Sequence, residues 1–264
     1  MIDAHNHLQD LRLRPYLDTI LDDCKQAGVQ RMVVNGTCED DWDDVFDLAA
    51  KSDLVVPSFG YHPWKLHQRT AKWIDALRRM LDRVPSAVGE IGLDRWMENH
   101  DIELQEEIFV KQLTLATERN LPVSIHCLKA WGKLVEILER EKLPKCGFLI
   151  HSYGGAADMI PRFANLGAYF SLSGYFAHPR KSKHLENFKH VPADRLLLET
   201  DAPDMLPPEE WIQNRVPADT GALHHPANIG AVYGIAANFL NVPPSKLESQ
   251  ISRNSENLFN CVGH

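Results

Sequence analysis

The stretch Pro122–Ser152, PVSIHCLKAWGKLVEILEREKLPKCGFLIHS, decides the fold. It opens on a short apolar run, Pro122–Cys127, and closes on another, Gly147–Ser152. Between them Trp131–Glu141 carries the apolar spacing of an amphipathic helix. Two short apolar strands joined by a helix form the repeating unit of a parallel sheet. Each of these two strands carries a histidine at its C-terminal end, His126 and His151.

The same alternation extends in both directions. Further short apolar runs bounded by turn residues are Met1–His7, Arg31–Thr37, Leu54–Tyr61, Ala87–Leu93, Ala168–Ser173 and Leu196–Asp201. Helical spacing is read over Tyr16–Ala27, Asp41–Lys51, Ala71–Val84, Glu103–Asn120, Ala156–Leu166, Pro179–His190 and Ile229–Leu240. Pro244–Cys261 adds one or two terminal helices. Eight strands, each followed by a helix, imply a (β/α)8 TIM barrel rather than an open sheet. The near-continuous apolar strands fit, because barrel strands are buried on both faces. A doubly wound open sheet shows similar alternation and is the alternative. No repeat, low-complexity tract or linker interrupts the chain, which reads as a single domain over residues 1–264. The one long irregular stretch, Ala202–Pro226, follows the eighth strand. In a barrel it would lie over the C-terminal face, where active sites sit.

The chain has 264 residues, 44% apolar and 24% charged, which excludes disordered and fibrous classes. Its formal net charge of −8 argues against a broad electropositive surface for duplex DNA. The five cysteines, Cys24, Cys38, Cys127, Cys146 and Cys261, form no CxxC and are expected to be reduced thiols of a cytoplasmic protein. The start of the chain has neither a basic leader nor a long apolar segment, so no signal peptide or membrane span is expected.

Histidine is the unusual component, with 13 residues. His5 and His7 end the first run in DAHNH, Glu90 interrupts AVGEIGLD, His126 ends PVSIH, His151 ends GFLIH and Asp201 ends LLLETD. Five strands thus present a metal-competent side chain at or near their C-terminal ends. Residues two apart on a strand share a face, so His5 and His7 can both point to the barrel axis. Six such groups suffice for two metal ions, and a two-metal site can generate hydroxide at neutral pH. Taken singly, each also fits a core histidine, a helix cap or a buried ion pair. Taken together, this many polar groups at apolar strand ends are costly to bury unless they are paired or hold metal.

Other polar residues have two readings each. His62 in GYHPW is either a turn residue or a substrate contact. Asp94 either orients a ligand or caps a helix, and Glu199, on the same face as Asp201, either supports a ligand or pairs with a buried cation inside the barrel. The basic stretch from Pro179, PRKSKHLENFKH, is a solvated helix face or a phosphate contact through Arg180 and Lys181. Trp64 and Trp96 sit in loops after strands, where they either pack at the rim or stack on a base.

These residues resemble the TatD family of metal-dependent hydrolases, a branch of the amidohydrolase-like barrels, nearly end to end. DAHNHL resembles the family's D-x-H-x-H-L, GYHPW its G-x-H-P, and VGEIGLD its G-E-x-G-L-D. Gln105 and Phe109 fit its Q-x-x-x-F helix, PVSIHC and LIHSYGG its fifth and sixth strand motifs, and LLLETDAPDMLP its E-T-D-x-P-x-L-x-P. The resemblance implies two divalent ions, with a range of one to three, of magnesium, manganese or zinc. By residue-by-residue transfer it implies His5, His7, Glu90, His126, His151 and Asp201 as ligands. Glu90 would bridge two ions, and Asp201 would take a proton from the attacking water, making these two the catalytic pair. His62 and Asp94 would lie near substrate or behind the ligands.

Three places depart from the family. Leu128 and Lys129 stand where Arg-Asp is usual, Ser152 and Tyr153 where Cys-Phe is usual, and Leu223–Pro226 where Arg-Asn-Glu-Pro is usual. All are expected on loops that line the substrate pocket, with Lys129 and Tyr153 as substrate-side candidates and His224 and His225 as pocket or surface residues. The expected activity is that of a deoxyribonuclease, 3′–5′ exonuclease-like on single-stranded DNA. The alternative is an ester or amide hydrolase such as a D-aminoacyl-tRNA deacylase. A non-catalytic partner subunit fits the complete ligand set less well. No membrane and no obligate protein partner is implied.

Overall fold

The protein is described by a computed structural model covering residues 1–217, 222–260 and 262. Its strands are β1 (Ile2–Asn6), β2 (Arg31–Asn35), β3 (Val55–Phe59), β4 (Ala87–Asp94), β5 (Val123–Leu128), β6 (Phe148–Ile150), β7 (Ala168–Ser173) and β8 (Leu196–Glu199). They pair in chain order and every paired neighbour is parallel. The ring closes between its first and last strands. The Asp201 N–H donates to the His5 carbonyl at 3.0 Å, and the His7 N–H donates to the Ala202 carbonyl at 2.7 Å.

Among the described residues eight α-helices alternate with these strands: α1 (Leu17–Gln26), α2 (Trp42–Lys51), α3 (Trp73–Arg83), α4 (Ile102–Arg119), α5 (Trp131–Arg140), α6 (Ile160–Asn165), α7 (Ser182–Asn187) and α8 (Ile229–Leu240). A ninth, α9 (Pro244–Phe259), is the terminal addition, a single helix where the sequence allows one or two. The longest, α4, begins where the Asp101 side chain accepts the Leu104 N–H at 3.0 Å. It ends at Asn120 in the left-handed conformation, φ 51°. All eight residues of β4 are buried, as a strand sandwiched between barrel interior and helix ring requires.

Two expected helices are shorter than their patterns. Ala156–Leu166 becomes a 3₁₀ turn over Ala157–Met159 followed by α6. Pro161 sits in the first turn of α6, where its missing N–H is tolerated only at a helix start. Pro179–His190 becomes α7 flanked by 3₁₀ turns at Pro179–Lys181 and Phe188–His190. The stretch Ala202–Pro226 is irregular in its described part, with a 3₁₀ turn at Glu209–Trp211 and one antiparallel bridge between Arg215 and His224. Residues 218–221 of this stretch and Cys261 lie outside the described residues. Cys24, Cys38 and Cys127 are buried thiols outside any disulfide. Among the described residues no helix is long and apolar enough to cross a membrane.

A buried carboxylate fastens the closure. Asp3 accepts the Thr200 N–H at 3.0 Å and the Thr200 hydroxyl at 2.6 Å, joining β1 to the residue after β8. It also accepts Asn6 Nδ2–H at 3.0 Å. Burial pushes the Asp3 carboxyl up to about 7, although the Thr200 and Asn6 hydrogen bonds pull the other way. Removing this carboxylate strands buried donors. Asp3→Ala is therefore expected to cost about 2–4 kcal/mol of unfolding free energy. Urea denaturation measures this directly, and an unshifted midpoint would show that the closure does not depend on Asp3.

Candidate metal centre

At the C-terminal ends of the strands the polar side chains meet around Glu90. This residue lies midway along β4 and is 2% exposed. Its two carboxylate oxygens face two different groups. Oε2 lies 3.3 Å from His5 Nε2 and 3.1 Å from His7 Nε2. Asp201 Oδ1 joins the same group, 3.7 Å from His5 Nε2 and 3.6 Å from His7 Nε2. Oε1 lies 2.8 Å from His151 Nε2, 2.9 Å from His126 Nδ1 and 3.3 Å from His62 Nε2.

The local sequence explains the approach. Gly92 has φ 147°, and a Cβ there would stand 2.0 Å from the His126 carbonyl oxygen. Only glycine lets β5 come close enough to set His126 beside Glu90. Asp201, Lys129 and Ser152, each at or just past a strand end, have φ of 55°, 54° and 42°, in the left-handed region. Such backbone costs about 1–3 kcal/mol per non-glycine residue and concentrates at sites where it aims a side chain.

Behind the centre, partners fix the imidazole rings. His7 Nδ1–H donates to the Asn35 carbonyl at 2.8 Å. His126 Nε2–H donates to Asp94 Oδ2 at 2.9 Å. His5 Nδ1 lies 2.8 Å from Ser124 Oγ, and His151 Nδ1 lies 3.5 Å from Glu199 Oε1. The oxygens that hold His7 and His126 from outside fix which ring nitrogen of each faces Glu90. Glu199 accepts the hydroxyls of Ser152 and Ser171 and is wholly buried. Asp94 also accepts the Trp64 indole N–H at 2.7 Å and the Trp96 and Met97 backbone N–H groups at 2.6 and 3.0 Å. Together with His126 these hold its carboxyl down at about 2, against the effect of burial.

The electrostatics favour a cation. Burial alone would raise the Glu90 carboxyl, but His151, His62 and His5 draw it well below its usual value, so it is ionised. Burial depresses His5 and His62 to about 4. At His7 the burial effect is outweighed by Glu90 and Asp201, which raise it to about 9. Burial raises Asp201 to about 7. The field that holds a proton on His7 is the field that would hold a divalent ion in its place. The donor geometry agrees. Glu90 Oε1 and His151 Nδ1 are buried without a hydrogen bond, although Oε1 has ring nitrogens within 3.3 Å. Nitrogen and oxygen donors crowded without hydrogen-bond alignment suit metal coordination. His5–His7–Glu90, His62–Glu90–His126 and His5–His151–Glu199 each bring donor atoms within 4.8 Å of one another. His, Glu and Asp residues here could therefore hold divalent ions.

A cleft of about 500 Å³ opens beside the centre, and His126, His151 and Asp201 form part of its wall. Lys129 and Lys181 line it, as do Leu128 and Ser152. Tyr153 does not face it, a correction to the expected substrate side. Its ring is fully buried against Trp131, Phe163 and Phe170, and its hydroxyl donates to the Ala156 carbonyl at 2.7 Å. His224 and His225 are likewise buried and away from the cleft. His224 Nδ1 lies 3.1 Å from the Asp204 carbonyl, and His225 Nε2 lies 3.2 Å from Asp23. Arg180 donates to the Tyr175 hydroxyl at 2.9 Å. The sequence reading missed Asn35 and Ser124, though a signal existed: each is a polar residue on an apolar strand, Ser124 in phase with His126. Tyr175, His184 and Met205 of the cleft wall carried no such signal.

A closed parallel barrel that converges histidines and carboxylates from five strands on one buried carboxylate defines a metal-dependent hydrolase. The family model described as TatD related DNase matches residues 2–260, and the chain belongs to that family. It is 30% identical over 262 residues to the uncharacterized metal-dependent hydrolase YjjV of Escherichia coli strain K12, covering 98% of this chain and 97% of that one. It is 29% identical over 269 residues to the 3′-5′ ssDNA/RNA exonuclease TatD of Pantoea ananatis, covering 99% and 100%. The crystal structure of the E. coli YjjV protein superposes with a TM-score of 0.89 at 29% identity, covering 98% of each chain. A TatD family hydrolase of Entamoeba histolytica shares the fold, with a TM-score of 0.85 at 20% identity over 99% of this chain and 98% of that one.

If Asp94 sets the orientation of His126, Asp94→Ala should weaken manganese binding about 10–100-fold. Titration calorimetry on the chelator-stripped protein gives the number. An affinity equal to wild type would remove Asp94 from the support of the centre.

Proposed function

We propose that this chain is a divalent-metal-dependent phosphodiesterase that degrades DNA, acting as a 3′–5′ exonuclease on single strands. One observation carries the reading. The two oxygens of Glu90 serve separate donor groups, which is the arrangement a bridging carboxylate needs between two ions. The first ion would be held by His5, His7, Glu90 and Asp201, and the second by Glu90, His126 and His151. Magnesium, manganese and zinc all fit nitrogen and oxygen donors. The Pantoea relative, by its name a single-strand exonuclease, supports the substrate class.

When bound, the ions supply Lewis acidity, easing water deprotonation and offsetting charge on the phosphoryl oxygens. The chain supplies the rest. Asp201 stands beside the His5–His7 pair and on the cleft wall, so it can accept the proton released by the attacking water. Lys129 and Lys181 reach the cleft, where they would hold flanking phosphates. His62 accepts the Trp64 N–H at Nδ1, which leaves its Nε2–H as a donor beside Glu90 for a substrate oxygen. Asp94 and Glu199 keep His126 and His151 aimed.

A second reading, hydrolysis of a carbonyl ester such as a D-aminoacyl-tRNA, draws on the formal net charge of −8. One experiment separates the two. An end-labelled single-stranded oligonucleotide is incubated with chelator-stripped protein resupplied with magnesium, manganese or zinc. Shortening from the 3′ end is expected, and Asp201→Asn should slow it about 10²–10⁴-fold. No shortening with any ion, while an aryl ester is hydrolysed, would overturn the phosphodiesterase reading in favour of the ester.

A further inference from the structure

Four large apolar side chains are exposed among the described residues: Leu11 at 68%, Trp96 at 60%, Trp64 at 49% and Leu128 at 37%. A random scatter of exposed apolar residues is ordinary, but a gathered set marks a binding surface. All four belong to segments at or beyond the C-terminal ends of strands, β1, β4, β3 and β5 in turn. They therefore rim the face that carries the metal centre.

Two of them share an anchor, and a third lies beside it. Asp94 Oδ2 accepts the Trp64 indole N–H at 2.7 Å, and Asp94 Oδ1 accepts the Trp96 backbone N–H at 2.6 Å. Leu128 pairs with Asp94 in the β4–β5 register, and its carbonyl accepts the Arg95 N–H at 2.9 Å. The same Asp94 Oδ2 accepts His126 Nε2–H at 2.9 Å. One carboxylate thus ties two tryptophans and a metal-competent histidine together. Asp94 is itself fixed by Gln105, whose side chain donates to the Asp94 carbonyl at 2.9 Å and accepts its N–H at 2.7 Å. Trp96 and Leu128 line the cleft together with Lys129 and Lys181.

We infer that Trp64, Trp96 and Leu128 form a stacking platform for unpaired nucleobases of a single strand whose phosphates run past Lys129 and Lys181. The inference rests on the phosphodiesterase reading and adds to it the residues that select single strands. The exposed Trp64 indole, held by its own N–H, and the Trp96 ring, carried on a backbone held by the same carboxylate, offer aromatic faces on which a base stacks without sequence preference. A duplex hides those base faces. The lysines of the same cleft match the phosphate charge. The platform works because it is rigidly placed: the carboxylate that aims His126 also sets the distance between the stacked base and the centre.

The test compares two labelled strands of equal length and charge, oligothymidylate and an abasic tetrahydrofuran strand. Both are bound to full-length, manganese-loaded Asp201→Asn protein and followed by fluorescence anisotropy. The abasic strand should bind about tenfold more weakly. Trp96→Ala should erase that difference and Trp96→Phe should restore most of it, with thermal midpoints confirming the fold of each. Trp64→Ala and Trp64→Phe provide the same comparison at the second ring. Equal binding of both strands, while wild-type enzyme cuts oligothymidylate, overturns the platform and leaves the phosphodiesterase reading standing. A base-dependent difference that survives both alanine variants overturns it as well. Strands neither bound nor cut with any metal overturn both.

Discussion

The contact on which the site depends is the seam between the first and last strands. His5 lends its carbonyl to the Asp201 N–H at 3.0 Å, and His7 lends its N–H to the Ala202 carbonyl at 2.7 Å. The residues that close the barrel are thus the residues whose side chains meet at the centre. A sheet left open there would expose an unpaired edge and would also part Asp201 from the two histidines. Asp3, locked to Thr200 by two hydrogen bonds, holds the seam from inside. Closure of the fold and assembly of the first donor group are one event, because the backbone and side chains of the same few residues perform both.

The second constraint is electrostatic. Glu90, wholly surrounded by protein, stays ionised only because histidines ring it. In a low-dielectric interior neither partner is stable alone, since a lone buried charge is expensive and a lone buried imidazole loses its proton. His5 and His62 illustrate the loss, while His7, which faces two carboxylates, keeps its proton to about pH 9. The centre is poised to gather positive charge between its carboxylates. That poise requires the helix ring outside, which excludes water, and the small residues inside, which admit the close approach of β4 and β5.

The sequence legibly encoded what repeats and hid what breaks the repeat. Eight apolar runs alternating with helical spacing gave the barrel, and polar residues within or at the ends of those runs gave Glu90, the histidines and Asp201. The failures cluster where parity is lost. Ser152 adopts φ 42°, so the alternation of strand faces stops there and nothing in the sequence tells that Tyr153 turns into the core. Pro161 and Pro179 shorten helices whose apolar spacing runs on past them. His224 and His225 were legible as histidines but not as buried ones, because a loop has no period from which to read burial. Asn35 and Ser124 were readable by the same rule that found the histidines, but neither is a metal-ligand type that draws attention on its own.

His62 shows how far hydrogen bonding can divide residues of one kind. His7 and His126 give their outward N–H to an oxygen, the Asn35 carbonyl and the Asp94 carboxylate, which leaves the other ring nitrogen of each facing Glu90. His5 Nδ1 lies 2.8 Å from Ser124 Oγ and 3.1 Å from Asn35 Nδ2, and His151 Nδ1 lies 3.5 Å from Glu199 Oε1. His62 instead accepts the Trp64 backbone N–H at Nδ1, 3.1 Å away, and with burial keeping the ring neutral its one proton must reside on Nε2. That nitrogen is 3.3 Å from Glu90 and points a hydrogen, not a lone pair, at the centre. Coordinating a cation would require His62 to move its proton to Nδ1 and forfeit the bond that shapes the turn after β3. The backbone of one turn thus sets His62 as a donor beside the other histidines of the centre.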